Sequence, residues 1–320
     1  MVEPQQDANV NTARPLFWLA PLLLHTGDAF AWGLYTHLYF AQPLVWAVPL
    51  ADPNLRRALR RFPELCFAGA CLPDIALFSR VPRLCVPGGT HQGSAATALL
   101  RGAASDEERA MAVGYASHLL TDIVAHNYFV PAHETLWFRG RILTHAAAEW
   151  AMDAHVAPYV FVRPCDLLER HGSALAAYGD LRLGCNASSV TRGLRCLKQG
   201  ERALRASKLP QLAYRGARYA DRGLGPRFDD YISETAARLR QLDRLVAGEV
   251  PSWLPEPGAP LAAADAISPS AACAHHQATL LPADLFCAPG RGHALPRRTR
   301  PRTAPAPLGI SRRLRAQSVL

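Results

Sequence analysis

One apolar stretch with two histidines and an aspartate at intervals of four residues constrains the fold of this chain more than any other feature. It reads Gly-Tyr-Ala-Ser-His-Leu-Leu-Thr-Asp-Ile-Val-Ala-His over residues 114–126, with His118, Asp122 and His126 at the spaced positions. At 3.6 residues per turn, steps of four keep the three side chains on one narrow stripe of a helix. The neighbouring residues are nearly all apolar, so the stripe is expected to face the interior of a helical bundle.

The aspartate at the centre of this stripe needs a positively charged partner. A carboxylate buried alone costs several kcal/mol, on the order of the penalty for an unpaired buried charge. Arginine is the usual partner, but no Arg or Lys occurs between Arg109 and Arg139. A single histidine on an apolar helix is commonly a core residue bonded to backbone, whereas two histidines and an aspartate on one stripe favour a bound metal ion.

Further candidate ligands accompany the stripe. His145 and Glu149 repeat the four-residue spacing, which predicts a second helix that points an imidazole and a carboxylate inward. Upstream, His37 precedes an apolar run, His91 follows Pro-Gly-Gly-Thr, and Asp74 follows a proline, where it could alternatively cap a helix. These nitrogen and oxygen donors, with no sulfur among them, suit zinc in a hydrolytic rather than a structural site.

In this order, the candidate ligands resemble the motifs of the zinc-dependent phospholipase C family. That family includes bacterial phospholipases C and the N-terminal domain of glycosylphosphatidylinositol phospholipase D, and the S1/P1 nucleases are related to it in architecture. The likeness covers residues 32–150 by motif and is expected to cover residues 32–250 by fold. It implies an all-α, multi-helix bundle that holds up to three zinc ions.

The resemblance also assigns ligands to the first of these zinc ions. His91, His118 and Asp122 would bind it. Asp74 would be either a further ligand or the base that deprotonates the attacking water, and we therefore name it as the candidate catalytic residue.

Two more zinc sites follow from the same resemblance. The second would consist of three side chains, His126, His145 and Glu149. The third would be bound by His37, with Asp122 bridging it to the first zinc. In the family this third ion also takes the free amine and carbonyl of an N-terminal tryptophan, which here would be Trp32.

The N-terminal residues provide independent support for a mature chain that begins at Trp32. Arg14 precedes a short apolar run over residues 15–24, and Ala-Phe-Ala at 29–31 has the small-x-small pattern of a signal-peptidase site. The run is too short to span a bilayer, which needs about 20 residues. We predict cleavage after Ala31 and a secreted or periplasmic protein. The alternative is the start of a helix or strand in a cytoplasmic protein.

The motifs also depart from the family pattern in ways that concern the substrate. The spacing from Asp122 to His126 is shorter than in the secreted bacterial phospholipases C and fits the phospholipase D branch. Trp32 lies closer to His37 than in the phospholipases C, as in the S1/P1 nucleases, but Glu149 stands where those nucleases carry Asp. We predict a zinc-dependent phosphodiesterase acting on phospholipids or related phosphate esters.

Two alternatives to this function remain open at the level of sequence. One is a nuclease or nucleotidase of the S1/P1 type, which would use the same metal site. The other is a non-catalytic, metal-stabilised helical binding module, which would bind zinc in closed sites without an open coordination position.

Composition divides the chain into three parts. We expect a signal peptide over residues 1–31, a catalytic domain over 32–250 and a largely disordered tail over 251–320, where Pro, Ala, Gly and Ser replace helical periodicity. No transmembrane helix is predicted. Helices are expected at 34–50, 54–70, 91–103, 106–127, 142–155, 164–178 and 227–247.

The positive charge of the chain is concentrated in the predicted tail. Eight arginines lie between Arg291 and Arg315, and removing them from the net charge of +9 leaves +1. Such a tail could contact an anionic membrane or nucleic acid peripherally; the alternative is a solvated tail without a partner. The eight cysteines form no CxxC pair, so a cysteine zinc site is not predicted, and their even number permits disulfides in an exported protein.

Four other polar residues are ambiguous in the sequence. Asp153, one turn beyond Glu149, is either a partner that orients an imidazole or a surface residue. His133, His155 and His171 are expected to be structural or exposed.

Overall fold

Helices account for all the regular secondary structure in the residues that the computed structural model describes, which are 33–79, 90–137, 141–251 and 284–286. The prediction of an all-α fold is therefore confirmed. The α-helices are α1 (Leu34–Trp46), α2 (Pro53–Arg61), α3 (Pro63–Cys71), α4 (Gly93–Gly102), α5 (Asp106–Val124), α6 (Val130–Leu136), α7 (Arg141–Val156), α8 (Pro164–Leu183), α9 (Ala187–Ser207), α10 (Leu209–Ala220), α11 (Leu224–Leu239) and α12 (Leu242–Ala247).

Shorter helical segments of other types connect some of these helices. A 3-10 helix, Pro73–Phe78, follows α3, and a second one, Ala157–Tyr159, follows α7. A π-helical turn, Ala125–Phe129, continues α5 into α6. The segment predicted as one helix from 106 to 127 therefore changes its winding near its end.

Two of the helices predicted from the sequence are each divided into two helices in the structure. Residues 54–70 are divided between α2 and α3, because Pro63 has no N–H to continue α2 and instead starts α3. Residues 227–247 are divided between α11 and α12, and the second ends at Gly248, whose φ of 93° favours glycine. Helices α6, α9 and α10 were not predicted from the sequence.

The start of α5 is specified locally. The Ser105 hydroxyl accepts the Glu108 N–H at 3.1 Å, and the Glu108 carboxylate accepts the N–H of Ala104 at 2.7 Å. Three acidic residues in the first turn, Asp106 to Glu108, are stabilised by the positive end of the helix dipole. These interactions fix where the central helix begins.

Two glycines bring α3 and α5 into backbone contact at the centre of the bundle. A Cβ atom at Gly114 would overlap the carbonyl oxygen of Cys66, and a Cβ at Gly69 would overlap the carbonyl oxygen of Met111. Only residues without a side chain permit this approach. Almost all of α5 beyond Ala110 is buried as a result, including the whole length of the histidine-bearing stripe.

One short part of the predicted tail packs against the helices. Leu285 is fully buried, and its N–H donates to Gln241 Oε1 at 2.9 Å. Arg244 forms an ion pair with Asp284 at 2.5 Å and lies over the ring of Phe286 at 4.4 Å. The rest of the predicted tail and the predicted signal peptide lie outside the described residues.

Two sequence expectations concern the whole chain. Among the described residues, no helix is long and apolar enough to cross a membrane. The cysteines that lie in the described ranges are unbridged: Cys66, Cys71, Cys165, Cys185 and Cys196.

Candidate metal centre

His118 lies at the centre of a buried group of nitrogen and oxygen ligands. Its Nδ1 atom is 2.8 Å from the carbonyl oxygen of Ala70, which can only accept a hydrogen bond. Nδ1 therefore carries a proton, and Nε2 is the nitrogen that faces the group. Nε2 lies 2.9 Å from Asp122 Oδ2 and 3.1 Å from His91 Nε2. Three potential ligand atoms thus converge at this point.

The protonation of His37 is set by a neighbouring hydroxyl. Thr121 donates its hydroxyl proton to the carbonyl oxygen of His118 at 2.7 Å and accepts from His37 Nδ1 at 3.0 Å. The proton of His37 is consequently on Nδ1, and Nε2 faces Asp122 Oδ1 at 3.3 Å. The rings of His37 and His118 stack at a centroid distance of 3.6 Å.

Asp122 connects these two histidines through its two oxygens. Oδ1 faces His37, and Oδ2 faces His118 and, at 3.5 Å, His91. The side chain is fully buried. This disposition is that of a carboxylate able to bridge two metal ions.

The 3-10 helix after α3 adds a second carboxylate. Asp74 Oδ1 is 3.6 Å from both His91 Nε2 and His118 Nε2. Asp74 lies inside the 3-10 helix and does not cap it, so the alternative role as a helix cap does not apply. The segment before His91 is tied to the same region, because Thr90 Oγ1 donates to the carbonyl oxygen of Pro73 at 2.6 Å.

A separate group combines His126 with two residues of α7. His145 Nε2 is 3.1 Å from Glu149 Oε1, and the rings of His126 and His145 are 5.5 Å apart. Eight residues of helix rise about 12 Å, so His118 and His126 cannot bind the same ion even though they share a stripe. The π-helical turn begins one residue before His126, and such turns are frequent at functional sites.

Burial and neighbouring charges shift the pKa values of both groups. Burial alone would lower the pKa of His118, but Asp122 and Asp74 raise it to about 9. Burial raises the pKa of Asp122 and raises that of Glu149 to about 7. Burial also lowers the pKa of His126 well below its usual value, which keeps its imidazole neutral. Within the described residues, the positive charge near Asp122 and Glu149 is therefore too small to offset the burial of these carboxylates.

The nitrogen and oxygen atoms of the two groups are better suited to binding a cation than to hydrogen bonding within the protein. Among the described residues, neither oxygen of Asp122 receives a hydrogen bond, and the same is true of Asp74 Oδ1 and Glu149 Oε1. Three sets of ligand atoms are each close enough to hold one metal ion: His37, His118 and Asp122; Asp74, His91 and His118; and His126, His145 and Glu149. Zinc accepts exactly these nitrogen and oxygen ligands.

Comparison with known protein families identifies the family to which this helical region with its candidate metal centre belongs. Residues 36–190 match the family model described as zinc dependent phospholipase C. This region of the chain belongs to the zinc-dependent phospholipase C family. No curated protein and no solved structure was found to match the chain.

The structure brings eight of the nine residues named from the sequence into the two groups. The ninth, Trp32, lies outside the described residues. Two residues near the site were missed or misread. Thr121, which orients His37, was not named, although it directly precedes Asp122 on the same buried helix. Asp153 is fully buried, and its carboxylate accepts hydrogen bonds from Thr36 rather than orienting an imidazole.

The remaining histidines are peripheral to the metal centre. His133 is buried, donates from Nδ1 to the carbonyl oxygen of Phe129 at 2.7 Å, and has a pKa that burial lowers to about 4. His155 and His171 are half-buried and lie within 3.1 Å of Asp229 and 2.9 Å of Glu64, respectively. Structural roles account for all three.

Proposed function

We propose that this chain is a zinc-dependent phosphodiesterase that hydrolyses phospholipids or related phosphate esters. The family assignment supports a zinc hydrolase in general terms. The observation that carries the proposal is the buried convergence of imidazole nitrogens and carboxylate oxygens around Asp122, whose two oxygens accept no hydrogen bond within the described part of the chain.

The proposal assigns up to three zinc ions to the two groups. One would be held by Asp74, His91, His118 and Asp122 Oδ2. Another would share Asp122 through Oδ1 and be held by His37, with Trp32 as a further ligand if the chain is cleaved after Ala31. The last would be held by His126, His145 and Glu149.

The chemistry of the centre follows from its ligands. Bound zinc acts as a Lewis acid and lowers the pKa of water to about 7. As zinc ligands, the imidazoles of His37, His91 and His118 would carry no charge, so the carboxylates alone would offset the metal charge and leave the centre positive enough to attract a phosphate ester. Asp74 would act either as a ligand or as the acceptor of a water proton.

Location and membrane contact belong to the same proposal. Export, with cleavage after Ala31, would place the enzyme outside the cytoplasm and provide the amine of Trp32 as a ligand. The arginine-rich tail would provide peripheral contact with anionic lipid. N-terminal sequencing of protein exported by a bacterial host tests the first point, and an N-terminus other than Trp32 contradicts it.

Metal content is the first test of the proposed function. The chain starting at Trp32, purified without chelators or a His tag, is expected to contain two to three zinc ions by plasma mass spectrometry. Protein that contains no metal, and takes up none from added zinc, would leave the proposal without a chemical basis.

Substrate profiling then separates the alternatives. The zinc-loaded protein is assayed against phosphatidylcholine vesicles, single-stranded DNA and RNA. Release of a phosphorylated head group supports C-type cleavage, and release of phosphatidate supports D-type cleavage. Cleavage of nucleic acid alone would favour an S1/P1-type nuclease, and zinc binding without any hydrolysis would favour a binding module.

A further inference from the structure

Helix α1, which carries His37, has no capping side chain of its own. Its N-cap residue is Gly33, and the N–H of Thr36, the third residue of the helix, would normally be bonded by the N-cap side chain. Asp153 of α7, which is 117 residues further along the chain, caps the helix instead. Its Oδ1 atom accepts the N–H of Thr36 at 2.9 Å and the hydroxyl of Thr36 at 3.2 Å.

The absence of a side chain at Gly33 is what admits this carboxylate. A Cβ atom there would overlap the carboxyl group of Asp153. The carboxylate therefore lies directly against the first turn of α1, where the helix dipole favours a negative charge. A residue with a side chain at this position would force the two groups apart.

A half-buried arginine completes the anchor, which consists of Asp153 and its partners. Arg205 of α9 forms an ion pair with Asp153 Oδ2, and its Nε donates to Glu201 Oε1 at 2.6 Å. The guanidinium also lies 4.7 Å from the centre of the ring of Tyr35, in the first turn of α1. Asp153 is fully buried, so this partner supplies the positive charge that a buried carboxylate needs.

The anchor acts on the residue that follows Thr36. The backbone of His37 is set by the capped first turn, and its ring is set by Thr121 at 3.0 Å. Together these contacts leave His37 Nε2 facing Asp122. Asp153 also lies one turn beyond Glu149 on α7, so the helix that provides two ligands of one group fixes the start of the helix that provides a ligand of the other.

We propose that Asp153, held by Arg205, is a positioning residue for the zinc ion shared by His37 and Asp122. It does not touch that ion or the substrate. It fixes the first turn of α1, and through it the distance of His37 from Asp122. The inference rests on the proposed function in one respect, that zinc binds at this centre.

The test compares zinc binding by the full mature chain and its Asp153→Asn variant. Zinc per chain is counted by plasma mass spectrometry, and the affinity of each site is measured by competition with a chelator. We expect one site to weaken by about 10- to 100-fold, the usual effect of residues that orient a ligand. The other sites are expected to keep their affinities, because their ligands are not on α1.

Further variants separate positioning from general destabilisation. Arg205→Met removes the partner of Asp153 and should weaken the same site, whereas Arg205→Lys should restore part of the affinity. Thr36→Val removes one of the two hydrogen bonds and should have a smaller effect, which keeps the test available if Asp153→Asn does not fold. Asp106→Asn, which alters another buried carboxylate, should leave zinc binding unchanged.

Each outcome has a distinct meaning. A wild-type chain that binds no zinc overturns the proposed function. If the wild type binds zinc and the folded Asp153, Arg205 and Thr36 variants bind it equally well at every site, the positioning role is wrong while the function stands. Equal weakening of all sites would also contradict it, because that is the effect of a merely structural residue.

Discussion

The two ends of helix α5 each carry a buried aspartate, and the two aspartates have opposite electrostatic environments. At the N-terminal end, Asp106 accepts hydrogen bonds from three arginines, Arg57, Arg61 and Arg109, at 3.0 to 3.2 Å. The hydrogen bond from Arg57, with smaller contributions from the other two arginines, lowers the pKa of Asp106 to about 2. The helix dipole adds to this stabilisation.

Near the C-terminal end of the same helix, Asp122 has no such support. It is fully buried, burial raises its pKa, and two of the neighbouring imidazoles, those of His118 and His37, direct their Nδ1 atoms to a carbonyl and a hydroxyl. The helix dipole is unfavourable for a negative charge at this end. Among the described residues, arginines surround Asp106 whereas imidazoles surround Asp122, so the proposed zinc ions would supply the positive charge at the second position.

The largest expected effect is the loss of the metal centre on substitution of Asp122. Asp122→Asn preserves the shape of the side chain but removes the charge that two sites share. We expect zinc content to fall to about one ion per chain and hydrolysis of the substrate identified by profiling to fall by more than about 100-fold, the upper end for residues that only orient a ligand. Plasma mass spectrometry and initial rates measure the two quantities.

Asp106→Asn is the matched control for that experiment. It removes the charge of a buried aspartate from the same helix and should leave zinc content and rate unchanged. Equal zinc loss in both variants would mean that the contrast between the two ends of α5 reflects folding alone.

Zinc removal should lower the thermal stability of the Asp106 and Asp122 variants by different amounts. A ligand present at 1,000 times its Kd stabilises the folded state by about 4 kcal/mol per site. Chelation should therefore lower the Tm of the wild type and of Asp106→Asn by similar amounts, and that of Asp122→Asn by much less. Thermal unfolding with and without chelator measures this, and an identical shift in all three proteins would argue against zinc at Asp122.

The middle of α5 provides a third test. Gly114→Ala places a methyl group onto the carbonyl of Cys66, and backbone cannot move aside as a side chain can. Overpacking usually costs about 1–3 kcal/mol, and we expect about 3 kcal/mol or more here. Denaturant unfolding measures the loss.

The matched control for this helix contact is Gly216→Ala. No atom lies within 4 Å of a Cβ at that position, and alanine should be tolerated or slightly stabilising. A Gly114→Ala variant as stable as the wild type would show that α3 and α5 are not in contact as described.

Glu201 is intermediate between the two aspartates and has the smallest expected effect. It has one arginine partner, yet burial raises its pKa to about 7. Between its ordinary pKa and this value the folded protein binds the extra proton, so stability should fall as pH rises from 5 to 8. The contribution is at most about 3 kcal/mol, since one pKa unit is about 1.4 kcal/mol.

Glu201→Gln tests this pH dependence because it cannot titrate. The zinc-loaded variant should lose less stability than the wild type between pH 5 and pH 8 in urea unfolding. An equal loss in the two proteins would show that Glu201 is ionised throughout and serves only as a partner of Arg205.

Much of the fold could be predicted because its periodicity is local. The run of apolar residues around His118 and the acidic first turn after Ser105 specify α5 without reference to the rest of the chain. Helices α9 and α10 were missed because frequent Arg, Ser and Gly weaken the apolar pattern of these half-exposed segments. The break at Pro63 could have been read from the sequence, since proline cannot continue a helix.

The sequence was sufficient to name the candidate ligand residues but not to predict their arrangement in space. Their types and spacing named eight side chains that the structure brings together. The orientation of each ring depends on partners distant in sequence, Ala70 for His118 and Thr121 for His37. Asp153 had no interpretable role until α1 and α9 were placed against α7.

The sequence by itself determined that the chain is helical, which residues are candidate zinc ligands, and that Asp122 lacks a nearby cation along the chain. These properties depend on residue type and on spacing within one helix. The tertiary structure decided which candidate ligands lie together, which nitrogens of His37 and His118 face Asp122, and which groups Asp153 contacts. Those properties depend on distances of about 3 Å between helices, which one-dimensional spacing cannot fix.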